Sequence, residues 1–122
     1  MPTVTFVDET LAGARSDGWE LEIFEERLRL DELIRRRIYQ EVAEHNALPA
    51  GEFRGLVRPA GDSSAPRRVE WEVQYERALE AFRRNGFVVL VGDRQVTELD
   101  REVELSARTE VTFLKLIPLV GG

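Results

Sequence analysis

The sequence predicts an α+β fold, a mixed sheet of four or five strands around one helix with a second helix inserted. Three observations predict it. Period-two alternation of apolar residues opens the chain and strand-like runs close it. An apolar stripe at helical spacing occupies residues 30–42. A second stripe of that kind follows a segment rich in Gly, Pro and Ser. At 122 residues and 14.0 kDa the chain suits one domain, 1–122.

Residues 3–7 alternate as Thr-Val-Thr-Phe-Val, and Trp19, Leu21 and Ile23 recur at every second position. With the Gly- and Asp-containing stretch 12–18 between them, these runs predict a hairpin. The period changes at Leu28: Leu30, Leu33, Ile34, Ile38 and Val42 follow at spacings of three and four. This predicts a helix near 30–45, with Asp31 and Glu32 at the positive end of its dipole and Asn46 and Pro49 marking its end. Residues 50–68 contain three Gly, two Pro and a Ser pair, and are predicted to be a mobile loop. Trp71, Tyr75, Leu79 and Phe82 then predict a second helix near 69–85, closed by Gly86 as its C-terminal cap. Loop and helix together form an insertion, 46–86. The unbroken apolar run 87–91 reads as a strand buried on both faces. Short extended pieces follow around Gln95–Val96 and 103–105, and a final strand spans 111–119. Pro118 lacks a backbone donor and is expected to end the pairing there, leaving 118–122 as a flexible tail.

Composition narrows the function. Seventeen basic residues against 23 acidic ones give a net charge of −6, the opposite of the footprint that nucleic-acid binding requires. Without cysteine there is no disulfide, thiolate metal site or catalytic thiol. The single histidine, His45, cannot supply a histidine set for a metal. The first residues form no basic leader with an apolar core, and the longest apolar runs are far too short to span a bilayer. A cytoplasmic protein with neither a membrane nor a nucleic-acid partner is expected.

The most informative residues are Gly121 and Gly122. At an average glycine usage of about 7%, such a pair ends a chain by chance in roughly 0.5% of cases. Here it directly follows the strand-forming run Val111-Thr112-Phe113-Leu114-Lys115-Leu116-Ile117. Glycine has no Cβ, so a diglycine tail can thread a narrow enzyme channel and present an unshielded α-carboxylate to a nucleotide.

Element order and ending together resemble the ubiquitin-like β-grasp superfamily, which includes ubiquitin-type modifiers and the sulfur carriers of thiamin and molybdopterin synthesis. The segment 110–122 is similar to ubiquitin's ending in length, with Thr112, Leu119, Gly121 and Gly122 on matching residue types. Val89-Leu90-Val91-Gly92-Asp93-Arg94-Gln95-Val96 resembles the third strand, turn and short fourth strand, and Pro118 is similar to the proline before the sulfur carriers' diglycine. The resemblance covers residues 3–45 and 87–122 and is strongest in the last third. It implies a β-grasp sheet whose first and last strands pair centrally in parallel.

The resemblance also implies a function. The chain would be a carried substrate, not an enzyme: a separate activating enzyme would adenylate Gly122 using ATP and magnesium, and this chain itself would hold no cofactor. Attack by a partner's cysteine would give a thioester that passes Gly122 to a target amine, the modifier reading favoured here. Attack by a persulfide would give a thiocarboxylate and a sulfur carrier, the alternative; a non-covalent β-grasp adaptor is the second alternative. Implied partners are the adenylating enzyme, a conjugating enzyme and deconjugating protease for the modifier, and a target protein or sulfur acceptor. Pro118, Leu119 and Val120 would be the part of the tail that the partner grips. Ubiquitin has arginines in this region, so a shared activating enzyme is not expected. Lys115 is the only lysine beside 16 arginines and lies within a predicted strand, which argues against lysine-linked polymers.

Other groups have plainer readings. The stripe Trp71, Tyr75, Leu79, Phe82 is expected to pack on its own sheet rather than to dock a partner. Arg35, Arg36 and Arg37, with acidic residues at helical spacing, are expected to form a solvated, ion-paired face. His45 is expected simply to favour the negative end of its helix.

Overall fold

The computed structural model describes residues 3–16, 18–47, 56–57, 69–106 and 109–116. Among them β1 (Thr3–Thr10) and β2 (Trp19–Glu22) form the expected hairpin, antiparallel with Phe6 opposite Trp19. After β3 (Arg27–Arg29) come α1 (Leu30–Ala47) and α2 (Trp71–Arg83), then β4 (Phe87–Val91), β5 (Arg94–Val96), β6 (Glu102–Glu104) and β7 (Glu110–Lys115). Five strands make a mixed sheet in the order β2-β1-β7-β4-β5, and β3 and β6 form a separate two-stranded ladder. The expected parallel pairing of first and last strands is observed at the centre of that sheet, with Phe6 opposite Val111 and Asp8 opposite Phe113.

Register shows which side chains share a face, because paired residues point the same way. One face carries Val4, Phe6, Val89, Val111 and Phe113, all completely buried in one core with Leu30, Leu33, Ile34, Ile38 and Val42 of α1. A row of rings crosses it from β2 to α2: Trp19–Phe6 at 4.9 Å, Phe6–Phe113 and Phe113–Phe87 at 5.9 Å, and Phe87–Phe82 at 5.7 Å. These separations suit favourable aromatic pairs. On the other face Thr3, Thr5, Glu20, Glu22 and Glu110 are polar. Val88 and Leu90 of β4, which share this face, are only partly buried, so the strand is not buried on both faces as its apolar run suggested.

Three details depart from the sequence reading. The residues just before α1 form a short strand, β3, for which the sequence reading had no element. The carbonyls of Arg101 and Leu99 then accept from the N–H groups of Leu30 and Asp31, both at 2.9 Å, so backbone caps the start of α1. At the end of α2 the left-handed residue is Asn85, with φ 59°, not Gly86. The Asn85 N–H donates to the Phe82 carbonyl at 3.1 Å and the Gly86 N–H to the Ala81 carbonyl at 2.8 Å, the paired bonds of a Schellman motif. Finally, within the predicted mobile loop Leu56 and Val57 are buried core residues, at 1% and 2% exposure; the remainder of 50–68 lies outside the described residues.

Gly18 is needed for space. A Cβ there would lie 2.6 Å from Cγ2 of Thr5. Gly18→Ala is expected to cost about 1–3 kcal/mol, and Thr5→Ser, which removes that methyl group, is expected to recover most of the loss in thermal melts. If the double variant is no more stable than Gly18→Ala alone, the clash is not the cause.

Candidate functional site

The last strand lies where a central, well-anchored element should. β7 is paired on both sides, parallel to β1 and antiparallel to β4, and Val111, Thr112 and Phe113 are buried. One further backbone bond, from the Leu116 N–H to the Gly86 carbonyl at 2.9 Å, holds the chain just past the strand. Among the described residues the ladder runs to Lys115. The predicted site residues Pro118, Leu119, Val120, Gly121 and Gly122 lie outside the described residues, as does the end of the strand predicted to run to 119. Lys115 is half-buried at the end of β7, opposite Phe87 and Thr10, in agreement with its expected strand position.

Beneath the C-terminal ends of β1 and β7 lies a charge cluster that the sequence reading missed. Arg37 was expected on a solvated face, yet it is 1% exposed. Its guanidinium donates to both Asp8 carboxylate oxygens, at 2.5 and 2.8 Å, and its Nε to Glu41 at 3.3 Å. The guanidinium carbon lies 4.4 Å from the centre of the Phe113 ring. Glu41 accepts a second bond, from the Leu56 N–H at 3.0 Å, so the cluster ties α1 to β1, β7 and the inserted segment. A signal was present in the sequence: Arg37 and Glu41 continue the apolar stripe of α1, between Leu33, Ile34, Ile38 and Val42.

The electrostatics follow from this geometry. Burial pushes the Asp8 carboxyl up, but the Arg37 hydrogen bonds and charge, with Lys115 adding to them, outweigh burial and hold it below the usual range. Burial also dominates at Glu41, and there Arg37 and the Leu56 N–H only partly offset it, so this carboxyl is pushed up. Burial works against the Arg37 cation, yet Glu41 and Asp8 more than compensate and it stays firmly protonated.

Arg35 and Arg36 do form the expected paired face. Arg35 bonds both oxygens of Glu32 at 2.9 Å, and Arg36 bonds Glu32 at 2.9 Å and also Glu25. The α2 stripe divides. Leu79 is buried with Ala78 and Gln74, whereas Trp71, Tyr75 and Phe82 are partly buried against the core edge. Asn46, the predicted helix end, bonds both the N–H and the carbonyl of Val69, at 2.8 and 2.7 Å, and so brings the two ends of the inserted segment together. His45 lies in the last turn of α1.

Among the described residues no group of three or more His, Cys, Asp or Glu side chains is gathered for a metal ion. No described helix is long and apolar enough to cross a membrane. Comparison with protein-family models, curated proteins and solved structures finds no match.

Proposed function

We propose that the chain is a ubiquitin-like β-grasp protein that is carried, not catalytic, and whose Gly122 carboxylate is activated by a separate adenylating enzyme. The observation that supports this reading most is the strand order β2-β1-β7-β4-β5, with β1 and β7 parallel at its centre and α1 packed across them. In that arrangement the strand leading to Gly121–Gly122 is the middle one of the five and is paired on both sides. A rigid body followed by slender residues suits handing one acyl group to another protein's active site.

In the proposed reaction the Gly122 carboxylate attacks the α-phosphate of ATP, forming the acyl–AMP mixed anhydride and releasing pyrophosphate. A partner's cysteine thiolate then displaces AMP to give a thioester. An amine of the target protein displaces that thiolate, giving an amide. With a partner's persulfide as the attacking group, its outer sulfur displaces AMP to give an acyl disulfide, and a second thiol of the partner cleaves the S–S bond, releasing the thiocarboxylate and leaving a disulfide on the partner.

An adenylating enzyme encoded beside this protein is expected to catalyse exchange of pyrophosphate into ATP only when the chain is present. Exchange at the same rate without the chain would refute the proposal. Exchange together with a thiocarboxylate on the protein would select the sulfur carrier, and Gly122 found on a lysine amine would select the modifier.

A further inference from the structure

The inserted helix opens a cleft that activation of Gly122 does not use. It holds about 490 Å³ between the last turn of α2, the edge of β4 and the segment that follows β5. Leu79, Phe82, Val96 and Leu99 give it an apolar floor, Leu79 and Val96 buried and the other two half-buried. Every residue lining it, and each one's neighbours in the chain, is among the described residues. Backbone geometry leaves one of these residues unsatisfied. The Leu116 N–H donates to the Gly86 carbonyl and the Gly92 N–H to the Glu110 carbonyl, both at 2.9 Å. Backbone groups alternate sides along an antiparallel strand, so residues 86, 88, 90 and 92 turn theirs to β7, and Phe87, Val89 and Val91 turn theirs away from it. On that side Val89 and Val91 meet Val96 and Arg94, but β5 ends at Val96 and leaves no strand opposite Phe87. Among the described residues no hydrogen bond reaches the Phe87 N–H or carbonyl. Phe87 is 1% exposed and lines the cleft. A donor and an acceptor so buried call for a partner, and the cleft is the side from which one can come.

Charge narrows the occupant. Arg29, at one end of the cleft, is neutralised by Asp31 through two bonds at 2.9 and 3.2 Å. Arg83 on α2 and Asp100 beyond β5 also line the cleft, and among the described residues neither forms an ion pair, even with the other. One wall thus offers a free cation and another a free anion. An extended peptide backbone carries an acceptor and a donor at the spacing of the Phe87 N–H and carbonyl, which is what a strand edge recognises. We propose that this cleft binds an extended segment of a partner protein in which an apolar residue lies between an acidic and a basic one. The segment makes a β-bridge to Phe87 in line with β5. Its apolar side chain covers Leu79, Phe82 and Leu99, and its acidic and basic side chains meet Arg83 and Asp100.

The test adds the peptide acetyl-Glu-Val-Leu-Val-Lys-amide to the full chain, and separately its reversed sequence, so that either strand direction is served. With one of the two, binding is expected with a dissociation constant at or below roughly 1 mM. As it binds, the Phe87 amide resonance is expected to move downfield in nitrogen–proton NMR spectra and its hydrogen exchange to slow about tenfold or more. N-methylation of the peptide's leucine removes the donor to the Phe87 carbonyl and is expected to weaken binding about tenfold. Arg83→Gln and Asp100→Asn are each expected to weaken it severalfold, and Arg83→Gln to make exchange of the peptide's glutamate for glutamine immaterial. Both side chains are exposed, and unchanged urea midpoints would show that the variants fold. Removing Gly122 is expected to leave the binding unchanged, which separates this proposal from that of activation. No response of the Phe87 amide to either peptide at millimolar concentration overturns the proposal, as does binding that ignores N-methylation. A long-lived water found bound at the Phe87 amide, or a shift of that amide on self-association without peptide, would give the edge to solvent or to a second copy and equally overturn it.

Discussion

Replacing Arg37 with alanine is expected to lower the unfolding free energy by about 3–5 kcal/mol, because it removes a buried cation and leaves two partly buried carboxylates without it. That is a large share of the roughly 5–15 kcal/mol that holds a typical domain together. Arg37 is the hub of the cluster: it pairs with both Asp8 and Glu41 beneath the central strands, and its guanidinium lies over the Phe113 ring. The two acids are not equivalent. Asp8 takes two short bonds from the guanidinium, whereas Glu41 takes one longer bond, and one cation faces two carboxylates. Glu41→Gln, which keeps an acceptor for the Leu56 N–H and removes the surplus charge, is therefore expected to cost less than about 1 kcal/mol at neutral pH. Asp8→Asn is expected to cost clearly more.

The pH dependence of these variants has opposite signs. The Asp8 carboxyl is lowered in the folded state, so its stabilisation is present above the unfolded value and is lost as pH falls through the lower, folded one. Glu41 is raised, so its contribution is full at low pH and declines as pH rises from the unfolded value through the folded one. In urea titrations against pH, Asp8→Asn should flatten the acid limb, and Glu41→Gln should remove a decline on the higher side. A loss of under about 1 kcal/mol for Arg37→Ala would mean that the cluster is not buried as described.

Removing Gly122 is expected to abolish adenylation while leaving the urea midpoint unchanged. The reacting carboxylate would then belong to Gly121 and fall short by one residue, about 3.5 Å of reach. A misplacement of even 1 Å can cost about a hundredfold in rate, so pyrophosphate exchange should fall by at least that factor. If biological function survives the deletion, the chain acts by binding alone and the adaptor reading replaces the proposal.

The elements with clean periodicity were legible before any coordinates. The first hairpin, α1 and α2 fall where alternation and helical stripes placed them, because each presents one regular apolar face, and β4 falls on the unbroken run 87–91, although Val88 and Leu90 on its other face are only partly buried. β6 falls on the extended piece expected at 103–105, but its partner β3 was not legible: three residues are too few to show a period, and Leu28 reads equally well as the start of the α1 stripe. Arg37 was misread because local spacing offered acids on its own helix, while its closest partner is Asp8 on a distant strand. Leu56 and Val57 were hidden by neighbouring glycines and prolines, although two adjacent aliphatic residues in such a segment were themselves a hint of burial. The αL position went to Asn85 because the Schellman bonds fix the turn one residue before the glycine that composition favours. The proposed site at Gly121 and Gly122 is a reading of the sequence alone, since both lie outside the described residues; the structure adds the two-sided pairing of β7, the strand that precedes it.

The sole lysine makes a direct test possible. Lysine-specific cleavage of the denatured protein, recovered from its native cells, cuts after Lys115 and releases Leu116–Gly122 with whatever Gly122 carries. Mass spectrometry of that fragment is predicted to find Gly122 joined through its carbonyl to a lysine amine of another protein, or to sulfur in the carrier alternative. A fragment that always ends in a free Gly122 carboxylate, with an adenylating enzyme present and active in the same cells, would contradict the account.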